Sequence, residues 1–241
     1  MTRDPVVRPL GDTALSVEFA DRIDPALTAR IHAFDAAFTA LRLPGVIETV
    51  PTYRAITLHL DPLVADRAAI ADAVQNLAVA PFDRARDGAV WEVPVVYGGA
   101  FGPDLAAVAA HAGLTPDAVI AAHAEPQYQV AMVGFLPGFC YLSGLDAALA
   151  TPRRADPRAR IPASSISIGG AQTAIGSLEG PSGWHVIGRT PVRPFQPGRT
   201  PEFLFGPGDT IRMRPIPASE WAALDADAAQ GARIATRLTE G

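Results

Sequence analysis

The chain has 241 residues, 49% apolar and 19% charged, a composition that can bury a core. Its formal net charge is −5, which argues against sequence-independent nucleic-acid binding, where many cations must face phosphates. All 20 basic residues are arginine, so a lysine-bearing phosphate loop, a Schiff-base lysine and a biotin-attachment lysine are excluded.

In the first 80 residues, Leu15, Val17 and Phe19 alternate with polar neighbours and predict a half-buried strand. Asp24-Pro25 has the form of a helix start, with the acid as N-cap and proline in the first turn. Leu27, Ile31, Phe34, Phe38 and Leu41 then recur at helical spacing, and Pro44-Gly45 ends the pattern. Two strands follow at Val46 to Val50 and Ile56 to Leu60, then a helix carrying Ile70, Val74 and Leu77. This order predicts a small α+β sandwich domain over residues 1–80, with both helices on one face of a sheet. Residues 81–89 are rich in charge, with a proline and a glycine, and are expected to be a linker.

The second half opens with a strand at Val90 to Val96 and short helices after Pro103 and after Thr115-Pro116. From Tyr128 onward, short strands are split by Gly and Pro, at Tyr128 to Val133, Ser165 to Ile168, Trp184 to Ile187 and Thr210 to Arg214. Such spacing favours a β-barrel over residues 90–217. The Ala-rich stretch 218–241 is expected to be a helical tail. The lone cysteine, Cys140, fits a reducing compartment. With no apolar stretch behind Met1 and no apolar run of ~18 residues, the expectation is a cytoplasmic chain outside the membrane.

Four constellations could carry chemistry. Phe135, Pro137, Gly138, Phe139 and Tyr141 form a loop whose rings either plug the barrel or wall a ligand cleft. Arg153, Arg154, Arg158 and Arg160 crowd into eight residues; they suit an anionic ligand or form a solvated loop, with Arg154 and Arg158 the candidate anion donors. Gln172 and Thr173 follow two glycines and either orient a substrate amide or cap a turn. Arg189 and Thr190 follow a strand and are placed in the same cleft. His185 is read as surface or packing, Cys140 as packing, and the remaining histidines lack metal-ligand spacing, so no metal is expected.

Three groups of segments carry a family resemblance. They are Pro9-Leu10-Gly11-Asp12-Thr13-Ala14-Leu15 with Val50-Pro51-Thr52-Tyr53-Arg54, then Val96-Tyr97-Gly98-Gly99 and Phe101-Gly102-Pro103-Asp104-Leu105 running on to Gly134-Phe135-Leu136-Pro137-Gly138-Phe139-Cys140-Tyr141-Leu142, and finally the stretch from Pro152 to Pro191 with Pro207-Gly208-Asp209. In these the chain resembles the family of the 5-oxoprolinase B subunit, allophanate hydrolase subunit 1 and the sporulation kinase inhibitor. The resemblance implies an α+β domain followed by a cyclophilin-like β-barrel. It also implies a hydrolase component that works only in complex with the A and C subunits of 5-oxoprolinase and opens 5-oxoproline to glutamate. By the same resemblance ATP is expected to be used by the complex, with no cofactor covalently bound to this chain. The C subunit is the implied direct partner, and a small carboxylate or amide the substrate. The alternatives are a regulatory inhibitor of a sensor histidine kinase and a component of an amide-processing complex related to urea carboxylase. The chain departs from the family's glycines at Ser164, Ser167 and Ala174, and has Gly176 in place of an aromatic residue.

Overall fold

A computed structural model describes residues 5–22, 24–78 and 88–238. The chain divides into two compact units, residues 1–87 and 88–241. Most of the expected linker, 81–87, lies outside the described residues.

The first unit contains β1 (Val6–Leu10), β2 (Ala14–Glu18), α1 (Pro25–Ala40), β3 (Val46–Pro51), β4 (Ala55–Leu60) and α2 (Arg67–Ala78). The four strands form an antiparallel sheet in the order β1-β2-β4-β3. Helix α1 starts where the sequence signals it, with the Asp24 side chain accepting a hydrogen bond from the Ala26 N–H at 2.9 Å. Leu15 and Val17 of β2 and Ile56, Leu58 and Leu60 of β4 share a core with Ile31, Phe34 and Phe38 of α1 and Ile70 and Val74 of α2. Both helices therefore cover one face of the sheet. Leu41 lies beyond the end of α1 and is 46% exposed. Strand β1 is absent from the sequence expectation because Arg8 and Pro9 interrupt the alternation; it is an edge strand, where proline is tolerated.

The second unit contains β5 (Val90–Tyr97), α3 (Leu105–Ala112), α4 (Pro116–Ala124), β6 (Gln127–Val133), β7 (Cys140–Ser143), β8 (Arg158–Ile161), β9 (Ser165–Gly169), β10 (Gln172–Ile175), β11 (Gly180–Ser182), β12 (His185–Arg189), β13 (Thr210–Pro215), α5 (Trp221–Ala229) and β14 (Thr236–Leu238). Seven strands run in the order β12-β9-β10-β7-β6-β13-β5, and β12 pairs with β5 to close a barrel. Closure removes the unpaired edges that an open sheet would present. Strands β8 and β11 form a separate two-stranded ribbon. The interior is filled by side chains such as Val93, Val95, Leu142, Ile166, Ile168 and Ile211, all fully buried. Each such side chain contributes on the order of 1.5–3 kcal/mol. Helices α3 and α4 add Leu105, Val108 and Val119 to the same core.

The segment after residue 217 is helical over Trp221–Ala229, but it then supplies β14, which pairs with the start of β5. The expected helical tail is corrected to that extent: a three-residue strand carries too little pattern to be read without its partner. Among the described residues, no single helix is long and apolar enough to cross a membrane.

Candidate functional site

Strands β7 and β10 are neighbours, with Tyr141 opposite Ala174 and Leu142 opposite Thr173. Because successive side chains point to opposite faces, Cys140, Leu142 and Ile175 enter the barrel core while Tyr141 and Ala174 face outward. On that outer face Phe139, Ala174 and Trp184 form a small apolar cluster with Leu136 and Tyr141 packed against it. Ring centroids lie 5.6 Å apart for Phe135 and Phe139, 4.8 Å for Phe139 and Tyr141, and 5.9 Å for Tyr141 and Trp184. These rings and Arg153 line a groove of about 310 Å³. The Arg153 guanidinium lies 5.7 Å from the centre of the Trp184 ring, within cation–π reach.

Local sequence explains the groove's shape. At Gly169 an added Cβ would sit 2.5 Å from the Trp184 ring, so only glycine lets the indole lie flat on β9. The backbone N–H of Trp184 donates to Ser182 Oγ at 3.0 Å. Gly138 adopts φ +73°, and a Cβ there would strike Phe195, so the loop before β7 packs tightly at that point. Phe135 also has a left-handed φ of +70° and is 62% exposed. A bulky residue held in that conformation and pointed at solvent is an unfavourable arrangement for folding alone.

The loop carrying Arg153 is tied down on both sides. Arg158 donates from Nη1 to Asp104 Oδ2 at 2.6 Å and from Nη2 to Oδ1 at 2.8 Å, and Arg154 Nη1 donates to Oδ1 at 3.1 Å. The Val186 N–H completes the set at 2.8 Å. Burial pushes the Asp104 carboxyl up, but the Arg158 hydrogen bond, the Val186 N–H and the two guanidinium charges outweigh it and hold the group below the ordinary carboxylate range. Two more contacts pin the loop: Arg154 N–H to the Gly183 carbonyl at 2.7 Å, and the His185 Nε2 contact with the Pro152 carbonyl at 3.0 Å. Arg154 and Arg158, expected to meet a ligand anion, therefore meet a carboxylate of the protein. The guanidinium left over the groove is that of Arg153.

The other expected site residues are dispersed. Thr173 is fully buried inside the barrel, where its Oγ1 donates to the Ser167 carbonyl at 3.1 Å and lies 2.9 Å from His123 Nε2. A hydroxyl has one proton, so His123 donates from Nε2 to Thr173 and accepts at Nδ1 from the Tyr97 hydroxyl, 2.8 Å away. Burial pushes the His123 pKa down to about 3, so the ring is neutral. Gln172 is half-buried at the β9–β10 turn and does not line the groove. Arg189 lies about five residues along β12 from Trp184, roughly 16 Å at strand spacing. It stacks at 4.8 Å on Trp221 and donates to the Ala163 carbonyl, while Thr190 is buried and accepts from the Val192 N–H.

The departures from the family pattern take definite forms. Ser164 has φ +60° and uses its hydroxyl to hold the Val192 carbonyl at 2.8 Å, which suits a position where glycine is otherwise at home. Ala174 sits in a regular strand, so no unusual backbone angle is needed there. An added Cβ at Gly176 would make only ordinary contacts, one of them 4.0 Å from the Phe139 ring.

Rings and one guanidinium equip the groove to hold and orient a small planar anion. Cys140 is turned into the core, where burial pushes its thiol pKa up. Burial raises the Tyr141 pKa, with Arg153 opposing it. Neither is poised for acid–base work near neutral pH. Among the described residues, no group of three or more His, Cys, Asp or Glu side chains is placed to hold a metal.

Residues 5–205 match the family described as carboxyltransferase domain, subdomain C and D. The chain belongs to this carboxyltransferase family. It is 34% identical over 228 residues to the 5-oxoprolinase B subunit of Bacillus subtilis, covering 90% of this chain and 95% of that one. It is 40% identical over 215 residues to the 5-oxoprolinase B subunit of Escherichia coli O157:H7, covering 86% and 94%. Among solved structures, the urea amidolyase of K. lactis superposes with a TM-score of 0.77 at 17% identity, over 92% of this chain. That likeness concerns the fold alone, and this carboxyltransferase-family chain spans only 15% of that protein. Asp104 and Trp184 lie in the segments that carry the family resemblance, but nothing in the sequence around them marks either as a shaper of the groove. Asp104 reads locally as the residue before a helix, and its arginine partners are 50 and 54 residues away.

Proposed function

We propose that this chain is the B-type component of a 5-oxoprolinase, supplying one wall of a substrate cleft that partner subunits complete. The observation that carries the reading is its match to two proteins of that name over nearly their whole length. The reaction converts 5-oxoproline, ATP and water to glutamate, ADP and phosphate. A ring amide resists water, so phosphoryl transfer to the amide oxygen before hydrolysis is the chemical reason for using ATP.

In this reading the chain binds and orients. Arg153 meets the substrate carboxylate, and Phe135, Phe139, Tyr141 and Trp184 exclude water from the face of the ring. Pro137 and Gly138 keep the loop stiff. This chain lacks the lysine of a phosphate-binding loop, and the glycine-rich turn from β5 into α3 ends at the acidic Asp104. In this reading phosphoryl transfer to the amide is carried out on one of the other two components, the A or the C subunit, and the C subunit is the direct partner.

Co-expression with the A and C subunits from the same genome, followed by measurement of glutamate released from 5-oxoproline, tests this. Turnover should need ATP and all three chains. Failure of the three to co-purify, or equal turnover without this chain, would refute it.

A further inference from the structure

A second groove lies entirely within the first unit, about 410 Å³ in volume, and no part of the reading above uses it. Its rim carries Arg8 from β1, Arg22 from the turn after β2, Arg30 from α1 and Arg54 from the turn between β3 and β4. Two carboxylates, Glu18 and Asp21, share the lining, and Asp24 reaches Arg22 from outside it, which leaves an excess of one positive charge in a chain whose net charge is −5.

The backbone beneath these arginines is rigid. The Arg54 carbonyl accepts from the Phe19 N–H at 2.9 Å, and both the N–H and the hydroxyl of Thr52 donate to the Ala55 carbonyl across the same turn. Arg30 is held on the Phe19 ring, 5.9 Å from its centre, and donates to the Ala78 carbonyl at the end of α2. The rim charges are only loosely engaged by protein. Arg8 reaches Glu18 and Arg22 reaches Asp24 at 3.5 Å each, with arginine side chains 61% and 73% exposed. Exposed pairs of that length are worth little and exchange readily for a better acceptor. Arg54 is exposed and makes no ion pair among the described residues.

We propose that this groove binds a small phosphate-bearing anion, with Arg22 and Arg54 as its main donors and Arg8 and Arg30 completing the field. Guanidinium forks arriving from four segments suit an acceptor with several oxygens in different directions, which phosphate offers and a single carboxylate does not.

Isothermal titration calorimetry of the full chain with pyrophosphate tests the assignment. The wild type should show saturable one-site binding that weakens as salt rises from about 0.05 M to about 0.3 M. Arg22→Gln/Arg54→Gln should weaken it at least ~tenfold. Arg212→Gln/Arg237→Gln removes the same charge from exposed positions of the other unit and should leave binding unchanged. Absence of saturable heat with the wild type overturns the proposal. So does wild-type affinity in the groove variant, or an equal loss in the control. Succinate should bind more weakly than pyrophosphate; tighter binding would overturn the phosphate assignment.

Discussion

Asp104, at the start of α3, holds Arg158 through both carboxylate oxygens at 2.6 and 2.8 Å. The same carboxylate holds Arg154 and receives the Val186 N–H, so one residue joins the helix, the barrel strand β12 and the loop that presents Arg153. Its side chain is only 5% exposed, while the two guanidiniums keep about a third of their surface in solvent. The loop's shape, and hence the groove's, depends on this contact.

Asp104→Asn should therefore destabilise the barrel by about 1–3 kcal/mol, because a buried charge-assisted set loses its anion. Urea denaturation at pH 7 checks this. The folded carboxyl titrates lower than in the unfolded chain, so its contribution is complete above the unfolded value of about 4 and is lost as pH falls through the lower folded value. The gap between wild type and variant should thus narrow below about pH 4.

His123 predicts a separate pH dependence. The folded ring stays neutral down to about pH 3, while the unfolded ring takes a proton near 6.5. Between those values the unfolded state binds more protons, so stability falls as pH drops below 6.5, by at most roughly 1.4 kcal/mol per pH unit. His123→Gln should lower stability at pH 7 and flatten this slope. Unfolding curves at pH 7, 6 and 5 measure both effects.

Phe135 and Phe139 should separate cleanly. Phe139 is 8% exposed within the outer cluster, so Phe139→Ala should cost on the order of 3 kcal/mol of stability. Phe135 is exposed and backbone-strained, so Phe135→Gly should be neutral or stabilising by up to about 1 kcal/mol. If the groove serves the cleft proposed above, Phe135→Gly should lower activity of the assembled complex while its melting point holds. Thermal unfolding beside glutamate release distinguishes the two.

Gly169→Ala should push the Trp184 indole off β9, since the new methyl would fall 2.5 Å from the ring. A red shift in tryptophan emission and a stability loss of about 1–3 kcal/mol are expected. Arg153→Gln, by contrast, should leave stability within about 0.5 kcal/mol and, if the groove serves the cleft proposed above, raise the KM for 5-oxoproline in the assembled complex.

Much of the fold was legible in the order of residues. The Asp24-Pro25 cap, the helical spacing of Ile31, Phe34 and Phe38 and the alternation around Val17 are local signals, and local backbone physics acts on them directly. The absence of lysine likewise excluded whole chemistries by composition alone. What only the tertiary structure decided was partnership and direction. Strands of four residues, such as β7 and β10, are too short to declare which face is inward; barrel closure sent Thr173 into the interior to His123 and left Tyr141 outside with Trp184. Four neighbouring arginines look alike in sequence, yet Arg154 and Arg158 share the carboxylate of an acid 50 and 54 residues earlier, while Arg153 lies over the Trp184 ring. A side chain's partner is set by distance through space, and for these residues the fold brings that partner from far along the chain.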